Sequence, residues 1–136
     1  MAREIQGGTT TTSKFPPEIR LEKNGDHEQG KGSYVKGTIT ETRKLPVDQY
    51  GNEKPAIRLS LLDLEGGSVT ISKAKGQYEE VTVQEGDIVD FVARGTDLAK
   101  KLPQLQVGET VTITNIGLGP KVKGRNQKKL FKVEVE

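Results

Sequence analysis

From Ser33 onward, apolar and polar residues alternate with a period of two, the spacing that sends successive side chains to opposite faces of a β-strand. In the run starting at Tyr34, Val35, Gly37 and Ile39 share one face, and Tyr34, Lys36, Thr38 and Thr40 share the other. Gly37 inside this strand predicts a bulge or sharp bend, because glycine weakens a strand unless the backbone must turn there. Residues 43–55 read as a loop with its tip at Tyr50, Gly51 and Asn52. The next strand puts Ile57, Leu59 and Leu61 on one face and Arg58 and Ser60 on the other, and the turn at 63–67 predicts a hairpin into residues 68–73. Residues 74–85 show little pattern beyond a short strand around Val81 and Val83. Residues 88–94 are apolar on both faces, which predicts a central strand.

Thr96 reads as the N-cap of a helix carrying Leu98, Leu102 and Leu105, which Pro103 limits to about two turns. Strand alternation then returns. Val111 and Ile113 are interleaved with Thr110, Thr112 and Thr114, and after a loop at 118–127 Phe131, Val133 and Val135 form the inward face of a closing strand. Strands, one short helix before the last two strands, then strands again is the order of an OB-fold. The expected architecture is therefore all-β: an OB-fold-like five-stranded Greek-key barrel with an extra hairpin strand, spanning 31–136. A different small barrel or sandwich is the alternative. Residues 1–30 have few apolar positions, a four-threonine run and Pro16-Pro17, and predict a flexible N-terminal arm tacked down through Phe15 or Ile19.

Composition narrows the function classes. The chain of 136 residues fits one domain, and with no cysteine it forms neither disulfides nor thiolate zinc sites. No apolar run approaches the roughly 20 residues needed to cross a bilayer, and the N-terminus does not read as a signal peptide. A soluble, cytoplasmic protein is expected. Net charge is +2, so the distribution of charge says more than its total. Lys121, Lys123, Arg125, Lys128, Lys129 and Lys132 fall within twelve residues that hold no acid. A basic hairpin beside glycines can follow a phosphate backbone closely. It also suits a solvated turn that protects a sheet edge. In an OB-fold this hairpin and the loop after the first barrel strand flank the ligand groove, so Arg43, Lys44, Tyr50 and Lys54 are expected to converge with it. Lys36 and Arg58 lie on outward strand faces and add to the candidate nucleic-acid contacts.

Aromatic rings are scarce. Phe91 and Phe131 fit the core, whereas Tyr34 and Tyr50 are the better platforms for a base, with Tyr78, near Lys73 and Lys75, a weaker one. With so few rings, binding is expected to rest on phosphate contacts and to be salt-sensitive and little dependent on sequence.

The chain offers little for catalytic chemistry. GDHEQGK at 25–31 has the glycine and lysine spacing of a P-loop, but Gly32 stands where Ser or Thr should hold magnesium. No strand is expected before it, and a β-strand rather than a helix follows. His27, the sole histidine, falls in the expected arm, so neither a Ser–His pair nor a histidine metal cluster is available. Asp63 with Glu65 reads as turn chemistry, and alternation puts Asp87 and Asp90 on opposite faces of their strand. No enzyme activity, cofactor or metal is expected.

Two stretches, GSYVKGTITETRKLPVDQYG and GTDLAKKLPQLQVGETVTITNIGLGPKVKGRN followed by KLFKVEV, resemble bacteriophage single-stranded-DNA-binding proteins with an OB-fold. The resemblance covers about residues 32–136, with its specific parts at the two ends and none in 64–86. It implies single-stranded DNA as partner, a role in phage DNA replication or recombination alongside other proteins of that machinery, and the host bacterial cytoplasm as location. The long acidic tail with which cellular relatives recruit partners is not present here, so neither partner recruitment nor a homo-oligomer like theirs follows from it. An RNA-binding OB module and a virion or assembly domain without nucleic-acid binding are the competing expectations.

Overall fold

A computed structural model describes residues 16–45, 54–72, 77–93, 95–124 and 127–136. Its strands are β1 (Glu18–Arg20), β2 (Tyr34–Leu45), β3 (Lys54–Glu65), β4 (Ser68–Ser72), β5 (Tyr78–Glu80), β6 (Ile88–Val92), β7 (Thr110–Leu118) and β8 (Lys129–Val135). One helix, α1 (Thr96–Lys101), runs into a 3-10 turn at Leu102–Gln104 before the last two strands. The fold is all-β, with the helix where the sequence order put it. All eight strands form one sheet in the order β5-β4-β1-β6-β3-β2-β7-β8.

The succession β6-β3-β2-β7-β8 within that order is an OB-fold barrel unrolled, but the sheet is open, not a closed barrel. The reason lies at β6. Its free edge is taken by β1, which pairs with it in parallel at Glu18 and Asp90, so β8 has no ladder to close against. The sheet curls far enough for Phe91 of β6 and Phe131 of β8 to meet edge to face, ring centroids 6.5 Å apart. Helix α1 then occupies the free side of β8. Asp97 accepts from the Phe131 N–H at 2.9 Å, and Lys101 donates to the Phe131 carbonyl at 2.6 Å. Two side chains thus do for one residue what a neighbouring strand would do for several.

The core confirms the alternation read from sequence. Val35, Ile39, Ile57, Leu59, Leu61, Val111 and Ile113 are buried, as are Leu98, Leu102 and Leu105 from the helical segment. Gly37 sits at a register shift between β2 and β3, and a Cβ there would lie 2.8 Å from the Ser60 carbonyl oxygen. Close backbone approach explains this glycine.

Residues 16–30 are no arm: Ile19 and Leu21 are buried, and β1 lies inside the sheet between β4 and β6. Residues 1–15, with Phe15, lie outside the described residues. The turn at 63–67 does not close a hairpin. Gly66 and Gly67, both at positive φ, turn the chain away from β3, and β4 pairs with β1 instead. The strand expected around Val81 and Val83 is Tyr78–Glu80, with both valines half-buried beside the core. The helix N-cap is Gly95 at φ 98°, with Thr96 the first helical residue and no side-chain cap. Val135 is exposed rather than inward. Among the described residues no helix is long and apolar enough to cross a membrane.

Candidate nucleic-acid interface

Ladder register decides where each candidate side chain stands. Tyr34 pairs with Thr114 and Thr38 with Thr110, so β7 runs antiparallel to β2 and the β7–β8 hairpin leaves from the N-terminal end of β2. The loop joining β2 to β3 leaves from the other end, where Leu45 pairs with Lys54. The two basic clusters therefore do not share one tip. The curl of the sheet brings the hairpin base back toward the start of β3. A Cβ on Gly95 would lie 3.8 Å from that of Lys129, and the Ala93 N–H donates to the Pro55 carbonyl at 2.9 Å.

Between these ends lies an outward face of charged residues and threonines. One cross-strand row runs Lys132, Thr114, Tyr34 and Glu65, and the next runs Glu134, Thr112, Lys36 and Asp63. Positive groups on it are matched by carboxylates. Lys36 pairs with Glu136 at 2.6 Å, and Lys132 pairs with Glu134 at 3.5 Å. The Glu136 hydrogen bond and charge raise the Lys36 pKa above the ordinary lysine value. The Tyr34 hydroxyl donates to Asp63 at 2.7 Å, and this bond, with some burial and the charges of Asp63 and Glu65, raises its pKa. A base stacking on Tyr34 would bring its phosphate beside two acids.

Arg43 and Arg58 are engaged in a clamp. Asp90, which is 4% exposed, accepts from Arg43 Nη2 at 2.5 Å and from Arg58 Nε at 2.9 Å. Arg58 also reaches Glu41 at 3.6 Å. Burial pushes the Asp90 carboxyl up, and the guanidinium bonds of Arg58 and Arg43 pull it back without cancelling the rise. The pair Asp87 and Asp90 thus divides: Asp87 closes a turn by accepting the Gln84 N–H, and Asp90 binds two arginines. Asp63 and Glu65, expected as turn residues, instead end β3, where they pair with Lys36 and Tyr34 of β2, and Asp63 also accepts the Leu64 N–H at 2.9 Å.

Of the thirteen candidate contacts, five lysines carry no ion pair with any described residue: Lys44, Lys54, Lys121, Lys123 and Lys128. All but Lys54, which is half-buried, are exposed. Lys129 pairs with Glu22 at 3.6 Å. Tyr50 and Arg125 lie outside the described residues, as do Lys73 and Lys75. Tyr78 is exposed on the edge strand β5 beside Glu79 and Glu80. Phe91 and Phe131 are core, as their spacing suggested.

His27 does not lie in a flexible arm. It is 4% exposed, stacks edge to face on Phe131 with centroids 4.9 Å apart, and meets the Gly117 carbonyl through Nε2 at 2.8 Å. A strand, β1, does precede the GDHEQGK run, but β2 follows it, so the helix N-terminus a P-loop needs is missing. Among the described residues no group of three or more His, Cys, Asp or Glu side chains is placed to hold a metal.

Comparison with models of known protein families, with curated proteins and with solved structures returns no match.

Proposed function

We propose that the protein binds single-stranded DNA with little sequence preference, and coats or protects it without catalysing a reaction. The observation that carries this reading is the β7–β8 hairpin. Lys121, Lys123 and Lys128 stand exposed there with no described carboxylate partner, whereas the cations of the sheet face are neutralised. Lys44 and Lys54, at the far end of β2 and β3, extend the positive surface. Phosphate contacts from these lysines release counterions, which makes binding salt-dependent and indifferent to base identity. The sequence resemblance supports DNA as the ligand and phage replication or recombination as the setting.

Fluorescence titration with single-stranded DNA, duplex DNA and RNA at two salt concentrations tests this. The expected result is preference for the single strand and weaker binding at higher salt, with a limiting slope of about −3.5 in log K against log[salt] if all five lysines make contacts. Preference for duplex, or binding that ignores salt, contradicts it, and preference for RNA reassigns the ligand.

A further inference from the structure

The run GDHEQGKG forms a strap between β1 and β2 that side chains of the sheet hold in place. Asn115 of β7, fully buried, donates from Nδ2 to the carbonyls of Leu21 at 2.7 Å and His27 at 2.8 Å, while its Oδ1 accepts the Gly117 N–H at 2.8 Å. The Gly32 N–H donates to the Asn115 carbonyl at 2.8 Å. His27 Nε2 donates to the Gly117 carbonyl, which can only accept. The His27 and Gly32 bonds tie the strap to β7 at one place, the base of the basic hairpin, and the Leu21 bond anchors the chain that leads into it.

Their effect is to lay Lys31 across Gly117. A Cβ at Gly117 would lie 3.2 Å from Cδ of Lys31, and Gly117 itself adopts φ 93°, a conformation that favours glycine there. The Glu28 carboxylate also approaches Gly117, yet Lys31 makes no ion pair with it or with any other described residue. Beside Lys31 a cleft of about 450 Å³ opens between the strap and the Gly66–Gly67 corner. Lys23, Lys31 and Gly32 line one side of it, Gly66 and Gly67 the other, with Glu65 also in its wall. Nothing stands within 4 Å of where a Cβ at Gly32 would lie, and two lysines against one glutamate leave the cleft net positive.

We infer that Lys31 is a phosphate-binding residue of the same interface, delivered to the hairpin base by the clamped strap, and that the cleft beside it admits the sugar–phosphate chain. This rests on the single-stranded-DNA reading above. Lys31→Met keeps the aliphatic stem over Gly117 and removes the charge, and Lys31→Arg restores the charge. With oligo-dT as probe, Lys31→Met is expected to bind about fivefold more weakly at 0.1 M salt, with a log K against log[salt] slope shallower by about 0.7. Lys31→Arg is expected to retain affinity and slope, and the thermal midpoint of Lys31→Met should be that of the wild type. Wild-type affinity and slope in Lys31→Met would overturn the inference and leave the proposed function standing. Weaker binding with an unchanged slope and a lowered thermal midpoint would assign Lys31 to packing and overturn it too. A wild-type protein that does not bind oligo-dT overturns both.

Discussion

Asp90 shows why two of the arginines read as DNA contacts are better assigned to stability. Its carboxylate bonds Arg43 and Arg58 at once, and Arg43 Nε is already buried without a partner. Asp90→Ala would leave two guanidinium groups against a desolvated site, and a loss of about 3 kcal/mol is expected in denaturant unfolding. Unchanged stability would show the clamp to be incidental. At Tyr34 the chemistry is a proton held in place. A raised folded-state pKa contributes stability that is present below the ordinary tyrosine value and lost as pH rises through the raised one. An absorbance titration, with Tyr34→Phe as the subtraction control, should show Tyr34 ionising above the usual range, and Asp63→Asn should lower it. No change on removing the Asp63 charge would rule out that cause.

Among the elements, β1 departs furthest from expectation. Ile19 and Leu21 alternate with Arg20 and Glu22, but three residues of strand within a polar segment give too short a period to separate from coil. What makes it a strand is non-local: β4 on one side, β6 on the other, and an Asp90 N–H that donates to the Pro17 carbonyl at 2.8 Å. The long alternating strands β2, β3 and β7 were legible because each buries a whole face, and the Gly37 bulge because glycine there has one physical reason. Ion pairs such as Lys36 with Glu136 were not legible, since they join residues a hundred positions apart and exist only once register is set. Ile19→Ala is expected to destabilise the protein by about 2–4 kcal/mol and to accelerate hydrogen exchange at the Asp90 amide. A variant of full stability with unchanged exchange at Asp90 would return this segment to the role of an arm.

Across the whole molecule, a near-neutral total charge conceals a division of labour. Lys36, Lys132, Arg43 and Arg58 are spent on carboxylates that hold the sheet or cover its face, whereas Lys31, Lys44, Lys54, Lys121, Lys123 and Lys128 carry no ion pair with a described residue. The same economy governs topology: β1 fills the edge of β6 that would have closed the barrel, and α1 covers Phe131 of β8 on the opposite side. The hairpin thus projects from an open but curled sheet, with Lys121, Lys123 and Lys128 in no ion pair with a described residue.

The central claim is that these unpaired hairpin lysines bind the phosphates of single-stranded DNA. Its most direct test is the slope of log K against log[salt] for oligo-dT, measured on the wild type and on Lys121→Ala/Lys123→Ala/Lys128→Ala. Loss of three contacts should make the slope shallower by about 2 and weaken binding at low salt, with the fold unchanged by circular dichroism. A triple variant that keeps the wild-type slope and affinity would place the interface elsewhere on the molecule.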